Sequence, residues 1–357
     1  MSDRSLPQDD TFPSRTCYSQ IRDLGEQGLL ERLQRFCPQD IVGDDAAVMP
    51  SPSGGQSLVV TTDVLVDGVH FSDRTTSPYD VGWRAAAANL SDLAAMGASP
   101  LGITVGLSLP GDVLVSWVEQ LYQGMTNCLE QYNTPIVGGD ICCSPVITVA
   151  ITAFGQALPH RTIRRCSAQV GDAIVSTGVH GASRAGLELL LNPEFGINLT
   201  PAQRLCLIQA HQRPQPRLDV LLLLWNILDS WFPTLGSPIS LSGMDSSDGL
   251  ADAIVQICRA SGVGAVIERS KISVPPLLSQ ILSPQQAWDW VLYGGEDFEL
   301  VLCLPDELAQ TLVEQLGQGA AVIGQVTTGG EVWLKDSTGT YGDELLTLTG
   351  GFQHFRC

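Results

Sequence analysis

Acidic residues flanked by glycine, serine or threonine occur in six short clusters along the chain. Carboxylates held at tight turns and strand ends are hard oxygen ligands on a rigid backbone, which is what Mg²⁺ requires, and Mg²⁺ commonly arrives with a nucleotide phosphate. The sequence therefore predicts a phosphoryl-transfer site built on metal ions rather than on a lysine-bearing phosphate loop. The clusters are Gly43-Asp44-Asp45, Thr61-Thr62-Asp63, Asn89-Leu90-Ser91-Asp92, Gly138-Gly139-Asp140, Asp245-Ser246-Ser247-Asp248-Gly249 and Gly294-Gly295-Glu296-Asp297.

The first two clusters adjoin apolar runs that are typical of short strands. Neighbouring residues of a strand face opposite sides, so one of Asp44 and Asp45 can face a cleft while the other bonds the turn; equally, both can cap a turn. In the second cluster, Thr61, Thr62 and Asp63 end an apolar run, and their hydroxyl, backbone and carboxylate oxygens together suit Mg²⁺. The alternative there is a strand end closed by side-chain turn bonds.

The next two clusters differ in how specific they are. Asn89 and Asp92 stand three residues apart on a predicted alanine-rich helix, where positions i and i+3 share a face. We expect these two side chains to converge on one ligand, the alternative being a solvated polar stripe. In Gly138-Gly139-Asp140 the glycines let a phosphate approach the backbone and the aspartate can hold its metal, but the same tripeptide is a common turn.

The cluster at 245–249 lies at the start of a predicted helix over 247–260. Ser246 or Ser247 can cap that helix, whereas Asp245 and Asp248 are more acids than a cap needs. Free N–H groups at the helix start would hold a phosphate while the aspartates hold a metal. The alternative is an over-capped surface helix.

Three further residues are candidates for contacts with a substrate or a phosphate. Glu296 can accept hydrogen bonds from an amine-bearing substrate, or can belong to an acidic turn before a strand. His70 is one of five histidines, and a lone histidine is more often structural than functional. Arg165 can reach a phosphate, although taken alone it is more typical of a solvated surface arginine.

Helical and strand patterns alternate along the chain, which predicts an α/β or α+β fold in two lobes. A basic island over 159–172 marks the expected junction between an N-terminal domain over 16–158 and a C-terminal domain over 159–357. We expect 1–15, which is polar and contains two prolines, to be a disordered tail and not a secretory signal. Helices are predicted over 21–36, 79–96, 113–132, 183–191, 201–211, 218–231, 247–260 and 306–316, and strands over 46–49, 57–62, 103–109, 136–137, 146–155, 173–176, 264–268, 298–304, 320–326 and 331–334.

The charge balance limits the classes of partner. Lys and Arg number 19 against 38 Asp and Glu, which gives a net charge of −19 and disfavours nucleic acid and anionic membranes. The same charge would repel ATP unless bound Mg²⁺ supplies local cations. The ten cysteines form no C-x-x-C pair, which is typical of reduced core cysteines in a cytoplasmic protein. The apolar runs are too short to span a membrane.

Neither a G-x-x-x-x-G-K-[ST] loop nor a helix-opening G-x-G-x-x-G occurs, so the usual P-loop and Rossmann interpretations fail. In their order along the chain and in their residue identities, the clusters instead resemble the motifs of the thiamine-monophosphate kinase family, over roughly residues 20 to 355. The motifs that carry the resemblance are Val42-Gly43-Asp44-Asp45-Ala46-Ala47-Val48, Thr61-Thr62-Asp63-Val64-Leu65-Val66-Asp67-Gly68-Val69-His70-Phe71, Ala88-Asn89-Leu90-Ser91-Asp92-Leu93-Ala94-Ala95-Met96-Gly97-Ala98, Gly138-Gly139-Asp140, Met244-Asp245-Ser246-Ser247-Asp248-Gly249-Leu250 and Gly294-Gly295-Glu296-Asp297-Phe298-Glu299-Leu300.

The resemblance implies a two-lobed, PurM-like fold similar to that of aminoimidazole-ribonucleotide synthetase. It also implies a homodimer paired through the N-terminal lobes, with ATP near the interface, and transfer of the γ-phosphoryl group of ATP to thiamine monophosphate. The Mg²⁺ ligands implied by motif position are Asp45, Thr61, Thr62, Asp63, Asp92, Asp140, Asp245 and Asp248. The implied ATP contacts are Gly139, Asp140, Arg165 and Ser247. The implied substrate contacts are His70, Glu296 and Phe352, the last at a position where many relatives would have a tyrosine.

The implied chemistry is in-line attack by a phosphate oxygen that is already ionised at neutral pH, so no general base is expected. One alternative is another ATP-using enzyme of the same fold, such as an aminoimidazole-forming ligase or a selenophosphate synthetase. The latter should have a reactive cysteine and a lysine in an N-terminal glycine-rich loop, and no lysine precedes Gly43. An alternative of another class is a Mg²⁺–nucleotide-binding regulator without turnover.

Overall fold

The computed structural model of the chain describes residues 20–38, 52, 54–231, 241–317 and 319–351. The predicted tail over 1–15 and the predicted strand over 46–49 lie outside these residues, as do Asp44, Asp45 and Phe352. The described residues form two lobes, each built on its own β-sheet. This is the two-lobed α/β architecture that the sequence predicts.

The N-terminal lobe is a four-stranded sheet with helices on one face. Its strands have the order β1-β4-β2-β3, and β2 and β3 are parallel while the other neighbours are antiparallel. The strands are β1 (Ser57–Val66), β2 (Ser99–Leu109), β3 (Ile136–Cys143) and β4 (Thr148–Ala157), and the helices are α1 (Ile21–Leu33), α2 (Pro78–Ala95) and α3 (Val115–Glu130).

Helix α2 is central to this lobe because it packs on the sheet, on α3 and on the second lobe. Its start is fixed by Ser77, whose side chain accepts a hydrogen bond from the Asp80 backbone N–H, with Pro78 in the first turn. Its end is followed by Gly97 at φ +71°, a conformation that favours glycine. Against α3 the contact is so close that a Cβ on Gly82 would stand 1.8 Å from the Leu121 carbonyl oxygen.

The C-terminal lobe is a seven-stranded sheet of order β11-β10-β7-β9-β5-β8-β6. Helices cover both faces, with α6 and α9 on the side of the core shared with the first lobe and α4, α5, α7 and α8 on the other. The strands are β5 (Ala173–Ser176), β6 (Ser242–Asp245), β7 (Gly264–Glu268), β8 (Leu300–Leu304), β9 (Ala321–Thr327), β10 (Val332–Lys335) and β11 (Glu344–Leu345), and the helices are α4 (Ala182–Leu191), α5 (Pro201–Gln212), α6 (Leu218–Trp231), α7 (Leu250–Ser261), α8 (Pro284–Tyr293) and α9 (Asp306–Leu316).

Most predicted helices and strands within the described residues are confirmed, and three details differ. The sequence did not predict β6, α8 or β11. The Gly138-Gly139-Asp140 segment lies inside β3 rather than after a strand. Helix α7 begins at Leu250 instead of at 247, and its N-cap Gly249 has φ +114° without a side-chain cap. No helix in the described part of the chain has the length and apolarity to cross a bilayer.

Candidate active site between the lobes

A cavity of about 860 Å³ lies between the two lobes. Its walls come from β1 and the turn that follows it, from α2, from one side of α4, from the end of α5, from the β6–α7 connection and from the segment 294–298. A cleft of this size at a domain boundary is where small-molecule sites are usually found. It contains most of the predicted site residues that the structure describes.

Four aspartates from the two lobes meet at one end of this cavity. Asp63 comes from β1 and Asp92 from α2, while Asp245 ends β6 and Asp248 lies in the connection to α7. Since each pair belongs to a different lobe, the cluster exists only when the lobes pack together.

Hydroxyl groups orient two of these carboxylates. Thr61 donates to Asp92. Asp245 accepts from Ser91 across the lobe boundary at 2.8 Å and from Ser247 at 3.1 Å. Asp245 is 2% exposed, so these two hydrogen bonds fix both of its oxygens.

The aspartates raise one another's pKa values in addition to the effect of burial. Burial, followed by the charges of Asp92 and Asp248, raises the pKa of Asp63 to about 6. Burial and the charges of Asp92 and Asp63 raise the pKa of Asp245 to about 7, against the opposing hydrogen bonds from its two serines. The pKa of Asp92 is also raised by burial, while Thr61 and then Arg165 lower it. The cluster thus concentrates negative charge that a cation would relieve.

Arg165, at the junction between the lobes, lies close enough to this cluster to affect one of its carboxylates. Its charge acts on Asp92, and its Nη1 donates to Gln256 Oε1 on α7 at 3.0 Å. An arginine beside a carboxylate cluster can meet a phosphate that binds there. The structure therefore places Arg165 where a phosphate contact is feasible, although it does not line the cavity itself.

The expectation that Asn89 and Asp92 converge on one ligand is wrong. Asn89 is fully buried, its Nδ2 donates to the Ala85 carbonyl at 2.9 Å, and it does not line the cavity. The residues of α2 that line the cavity are Arg84, Ala88 and Asp92, which recur every fourth position and therefore share one face of the helix. The residues that share the surroundings of Asp92 are thus those four and eight positions before it, and not Asn89 three positions before it.

The serines of the 245–249 cluster do not cap α7, contrary to one of the possibilities raised by the sequence. Ser246 instead donates its backbone N–H and its hydroxyl to the Glu299 carbonyl and also contacts His180 Nε2 at 2.9 Å. Ser247 is turned toward Asp245 and lines the cavity. Both serines therefore shape the aspartate end of the cavity.

Thr62 and Asp140 lie on the outer face of the four-stranded sheet, and of the two only Thr62 also lines the cavity. Thr62 pairs with Thr152 through their hydroxyls at 2.9 Å, and Asp140 is opposite Gly106. Asp140 shares a cross-strand row with Val64 of β1, three strand spacings away, which is about 14 Å. Within one chain, the structure does not bring Asp140 to the other aspartates.

Gly139 is exposed in β3 but has a packing role against the neighbouring strand. A Cβ at this position would stand 2.2 Å from the Val105 carbonyl oxygen of β2. Glycine is therefore required here by the neighbouring strand, independently of any phosphate.

Glu296 lies in the cavity in a strained conformation. Its φ is +61°, Gly295 before it has φ +67°, and Phe298 after it has φ +52°. Left-handed backbone in residues other than glycine is unfavourable and survives only where surrounding contacts hold it. The Glu296 backbone N–H donates to the Ser247 carbonyl at 2.7 Å, and its side chain is ion-paired with Arg84.

The other acids of this segment have structural roles that the sequence did not reveal. Asp297 accepts from the backbone N–H groups of Gly181 at 2.7 Å and Ser183 at 2.9 Å, at the start of α4. Glu299 accepts from Thr177 and Arg217. These contacts anchor the segment on both sides of the cavity-facing Glu296.

His70 lies in the turn after β1 and lines the cavity. Its Nδ1 accepts the Val66 backbone N–H at 3.0 Å, which assigns the ring proton of the neutral imidazole to Nε2. The structure thus gives His70 a role in the turn as well as a position on the cavity wall.

Sequence reasoning missed Arg84 and His211, which lie beside Glu296. Arg84 is 4% exposed and donates to Glu296 and to the His211 carbonyl oxygen. The available signal was an arginine two helical turns before Asp92 in an otherwise apolar run. No comparable pattern marks His211, which arrives from a different helix.

Comparisons with known proteins agree with this architecture. The family model "AIR synthase related protein, N-terminal domain" matches residues 43–157, and its C-terminal counterpart matches 169–336. Thiamine-monophosphate kinase of Synechococcus elongatus is 53% identical over 335 residues, covering 94% of this chain and 98% of that protein.

Two solved structures are also similar. The crystal structure of thiamine-monophosphate kinase from Stenotrophomonas maltophilia K279a has a TM-score of 0.74 and 31% identity, covering 86% of this chain and 95% of its own. AaThiL complexed with AMPPCP and TMP has a TM-score of 0.67 and 31% identity, covering 92% and 99%.

Proposed function

Because this chain belongs to the thiamine-monophosphate kinase family, we propose that it transfers the γ-phosphoryl group of ATP to thiamine monophosphate, producing thiamine diphosphate and ADP. The observation that carries the proposal is the interlobe cavity, which is lined both by aspartates of the two lobes and by Glu296. A metal-dependent phosphoryl-transfer region and an acceptor for an amine are thereby joined in one space. A relative with AMPPCP and TMP bound supports the same pair of substrates.

We propose that several Mg²⁺ ions bind here and that Asp63, Asp92, Asp245 and Asp248 are shared among them as the described protein ligands. The raised pKa values of Asp63 and Asp245 reflect unbalanced negative charge, which supports a cation. Across the described residues, no three Asp, Glu, His or Cys side chains stand close enough to hold a metal ion alone. That arrangement suits Mg²⁺, which usually takes one or two carboxylates and completes its shell with phosphates and water. When bound, Mg²⁺ ions would neutralise the phosphates and bring the two anionic reactants together.

In the proposed mechanism, the chain positions the reactants and does not remove a proton. The attacking phosphate oxygen of thiamine monophosphate is ionised at neutral pH, so attack in line with the leaving ADP needs no base. Arg165 and Ser247 would contact ATP at the aspartate end. His70 and Glu296 would hold the thiamine part in the rest of the cavity. Asp45 and Phe352 remain proposed ligands of the metal and the substrate from outside the described residues.

We further propose a homodimer paired through the outer face of the four-stranded sheet. Leu58, Val60 and Val64 project from that face and are 53%, 52% and 44% exposed, which is an apolar surface unusual for a monomer. Asp140, proposed to hold metal and ATP together with Gly139, lies on the same face. A second copy stacked there would supply its Asp140 to the site, consistent with the position of this residue about 14 Å from β1 within its own chain.

The domain boundaries at 16–158 and 159–357 remain a proposal, supported by the two separate sheets. We also propose a cytoplasmic location. The eight cysteines of the described residues, Cys37, Cys128, Cys142, Cys143, Cys166, Cys206, Cys258 and Cys303, are unpaired, as is typical of a reducing compartment.

A coupled ADP-release assay with ATP, Mg²⁺ and thiamine monophosphate tests the function, with thiamine alone as the acceptor control. We expect turnover only with the monophosphate. Asp245→Asn, which preserves the shape of the side chain, should lower kcat at least about 100-fold, while Asp289→Asn on the exposed face of α8 should retain it. Absence of turnover in the parent, with ATP still bound, would point to a same-fold enzyme with another acceptor or to a nucleotide sensor.

A further inference from the structure

We propose that Arg84 is a positioning residue for substrate recognition: from α2 it holds Glu296 in the orientation that accepts the substrate's amine, and it sets the distance between that amine and the phosphoryl-transfer end. This inference rests on the proposed function and adds a residue that the motifs do not assign. It connects two features of the cavity, the strained Glu296 and the regular spacing of α2.

Arg84 determines where the Glu296 carboxylate lies. Its guanidinium is 4% exposed, with Nη2 on Glu296 Oε1 and Nη1 on the His211 carbonyl oxygen. Two divergent donors on fixed acceptors leave the planar group little freedom to rotate. Since Glu296 has φ +61°, its backbone alone would not favour this placement. The ion pair and the hydrogen bond to the Ser247 carbonyl together maintain it.

Glu296 keeps one oxygen available for a ligand. Its Oε2 lies 3.5 Å from His211 Nδ1 and receives no hydrogen bond from the described residues. Arg84 can only donate, and its Nη1 is 3.4 Å from the same Nδ1, which Ser183 Oγ also approaches to 3.2 Å. In the tautomer in which Nδ1 accepts these contacts, it does not donate to Glu296. The side chain of Glu296 is 36% exposed, and the residue lines the cavity. An amine of the substrate is a suitable donor for Oε2.

Helix α2 fixes the distance between Arg84, which holds Glu296, and Asp92 of the aspartate cluster. Arg84, Ala88 and Asp92 lie along its cavity-facing side, and eight residues of α-helix span about 12 Å. Between them, the small Ala88 leaves room for a ligand body. The same helix therefore holds the amine acceptor through Arg84 and presents Asp92 to the phosphates, which selects an elongated substrate with an amine at one end and a phosphate at the other.

The test compares thiamine monophosphate with an analogue in which oxygen replaces the pyrimidine amine. The ratio of kcat/KM for the two substrates is measured in the wild type, Arg84→Gln, Glu296→Gln and the double variant. We expect the wild type to prefer the amine by roughly 10- to 100-fold, as for a hydrogen bond to a charged group. Arg84→Gln should reduce this preference about as much as Glu296→Gln does, and the double variant should be no worse than Glu296→Gln alone.

Arg213→Gln is the matched control. Arg213 also bridges the lobes from the end of α5 to α2, through an ion pair with Asp80 at 2.7 Å, but it does not line the cavity. Its loss should leave the substrate preference within about twofold. If Arg84 merely joined the lobes, the two arginine variants would behave alike. Arg84→Lys, which keeps a cation beside Glu296, should restore most of the preference and answers the question if Arg84→Gln fails to fold.

The outcomes separate this inference from the proposed function. A wild type without turnover of thiamine monophosphate overturns the proposed function and this inference with it. Turnover with an unchanged preference in Arg84→Gln overturns the inference alone, as does a double variant whose losses multiply. A wild type that does not distinguish the two substrates also overturns it, because Glu296 would then not accept the amine.

Discussion

Raising the pH from 5 to 8 without Mg²⁺ should destabilise the folded protein through its aspartate cluster. Asp63 and Asp245 have folded pKa values of about 6 and about 7, against 3.8 for an ordinary aspartate. Between those values the folded state holds protons that the unfolded state has already released. Stability from these groups is therefore greatest at low pH and is lost as the pH rises through 6 to 7.

The size of the effect follows from the pH interval over which each proton is held. Above pH 5, the free energy of unfolding falls over about one pH unit because of Asp63 and over about two because of Asp245. Each unit corresponds to about 1.4 kcal/mol. Because the two carboxyls interact and titrate in shared steps, we expect about 3 kcal/mol from this pair, or a decrease of roughly 5 °C in Tm. Asp297, whose pKa burial also raises to about 7, should add a loss of its own over the same pH range. Mg²⁺ binds only the ionised carboxylates, so it should recover this loss at pH 8 and have little effect at pH 5.

Differential scanning fluorimetry at constant ionic strength, with and without Mg²⁺, measures both effects. Asp245→Asn removes the larger titration, so its Tm should depend less on pH and on Mg²⁺. Asp289→Asn on the exposed face of α8 should behave like the wild type. A Tm that is flat between pH 5 and 8, or an equal Mg²⁺ effect at both pH values, would falsify the view that these carboxylates form a cation site.

Two further substitutions test the dimer and the helix packing. Val60→Asp should give a monomer by light scattering and lose activity, because a charge on the proposed sheet interface opposes pairing. The control Leu205→Asp, on the exposed side of α5, should remain dimeric. A dimeric, active Val60→Asp protein would refute the interface. Gly82→Ala should destabilise the fold by about 3 kcal/mol in urea unfolding, because its Cβ would stand 1.8 Å from the Leu121 carbonyl oxygen. The control Gly330→Ala, with no neighbour within 4 Å of the added Cβ, should be neutral. Equal stabilities of the two variants would show that α2 and α3 adjust without strain.

How far the sequence predicts the fold depends on whether a signal is local. The predicted helix over 79–96 agrees within one residue with α2 at Pro78–Ala95, because helix caps act within a few residues. Strand β6 was missed because its four buried residues, Ser242–Asp245, include a serine, a glycine and an aspartate, and only its sheet neighbour β8 makes it a strand.

In the candidate site too, local patterns were predicted from the sequence and contacts between distant elements were not. Carboxylate clusters near strand ends indicated the aspartate end, and the structure brings Asp63, Asp92 and Asp245 together. Sequence spacing identified a face of α2 but could not tell which face meets the second lobe, so Asn89 was expected in the cavity and Arg84 was not. The Arg84–Glu296 pair joins residues 212 positions apart, and only the packed lobes reveal it.

The contacts that join α2 to the C-terminal lobe also limit how the site can close. Trp83 Nε1 donates to the Pro214 carbonyl at 2.9 Å, and Ser91 donates to Asp245 at 2.8 Å. These contacts lie about two turns apart along the helix, so rotation of one lobe about either contact would break the other.

We therefore expect substrates to be enclosed by side chains and by the turn around His70, with the lobes staying fixed. Small-angle X-ray scattering with a non-hydrolysable ATP analogue, Mg²⁺ and thiamine monophosphate should give the same radius of gyration as the ligand-free protein at the same oligomeric state. A measurable compaction would show that the contacts between α2 and the C-terminal lobe are exchanged on binding. The distance that α2 sets between Arg84 and Asp92 would then remain. Asp245, however, would reach its working position only after the lobes had closed.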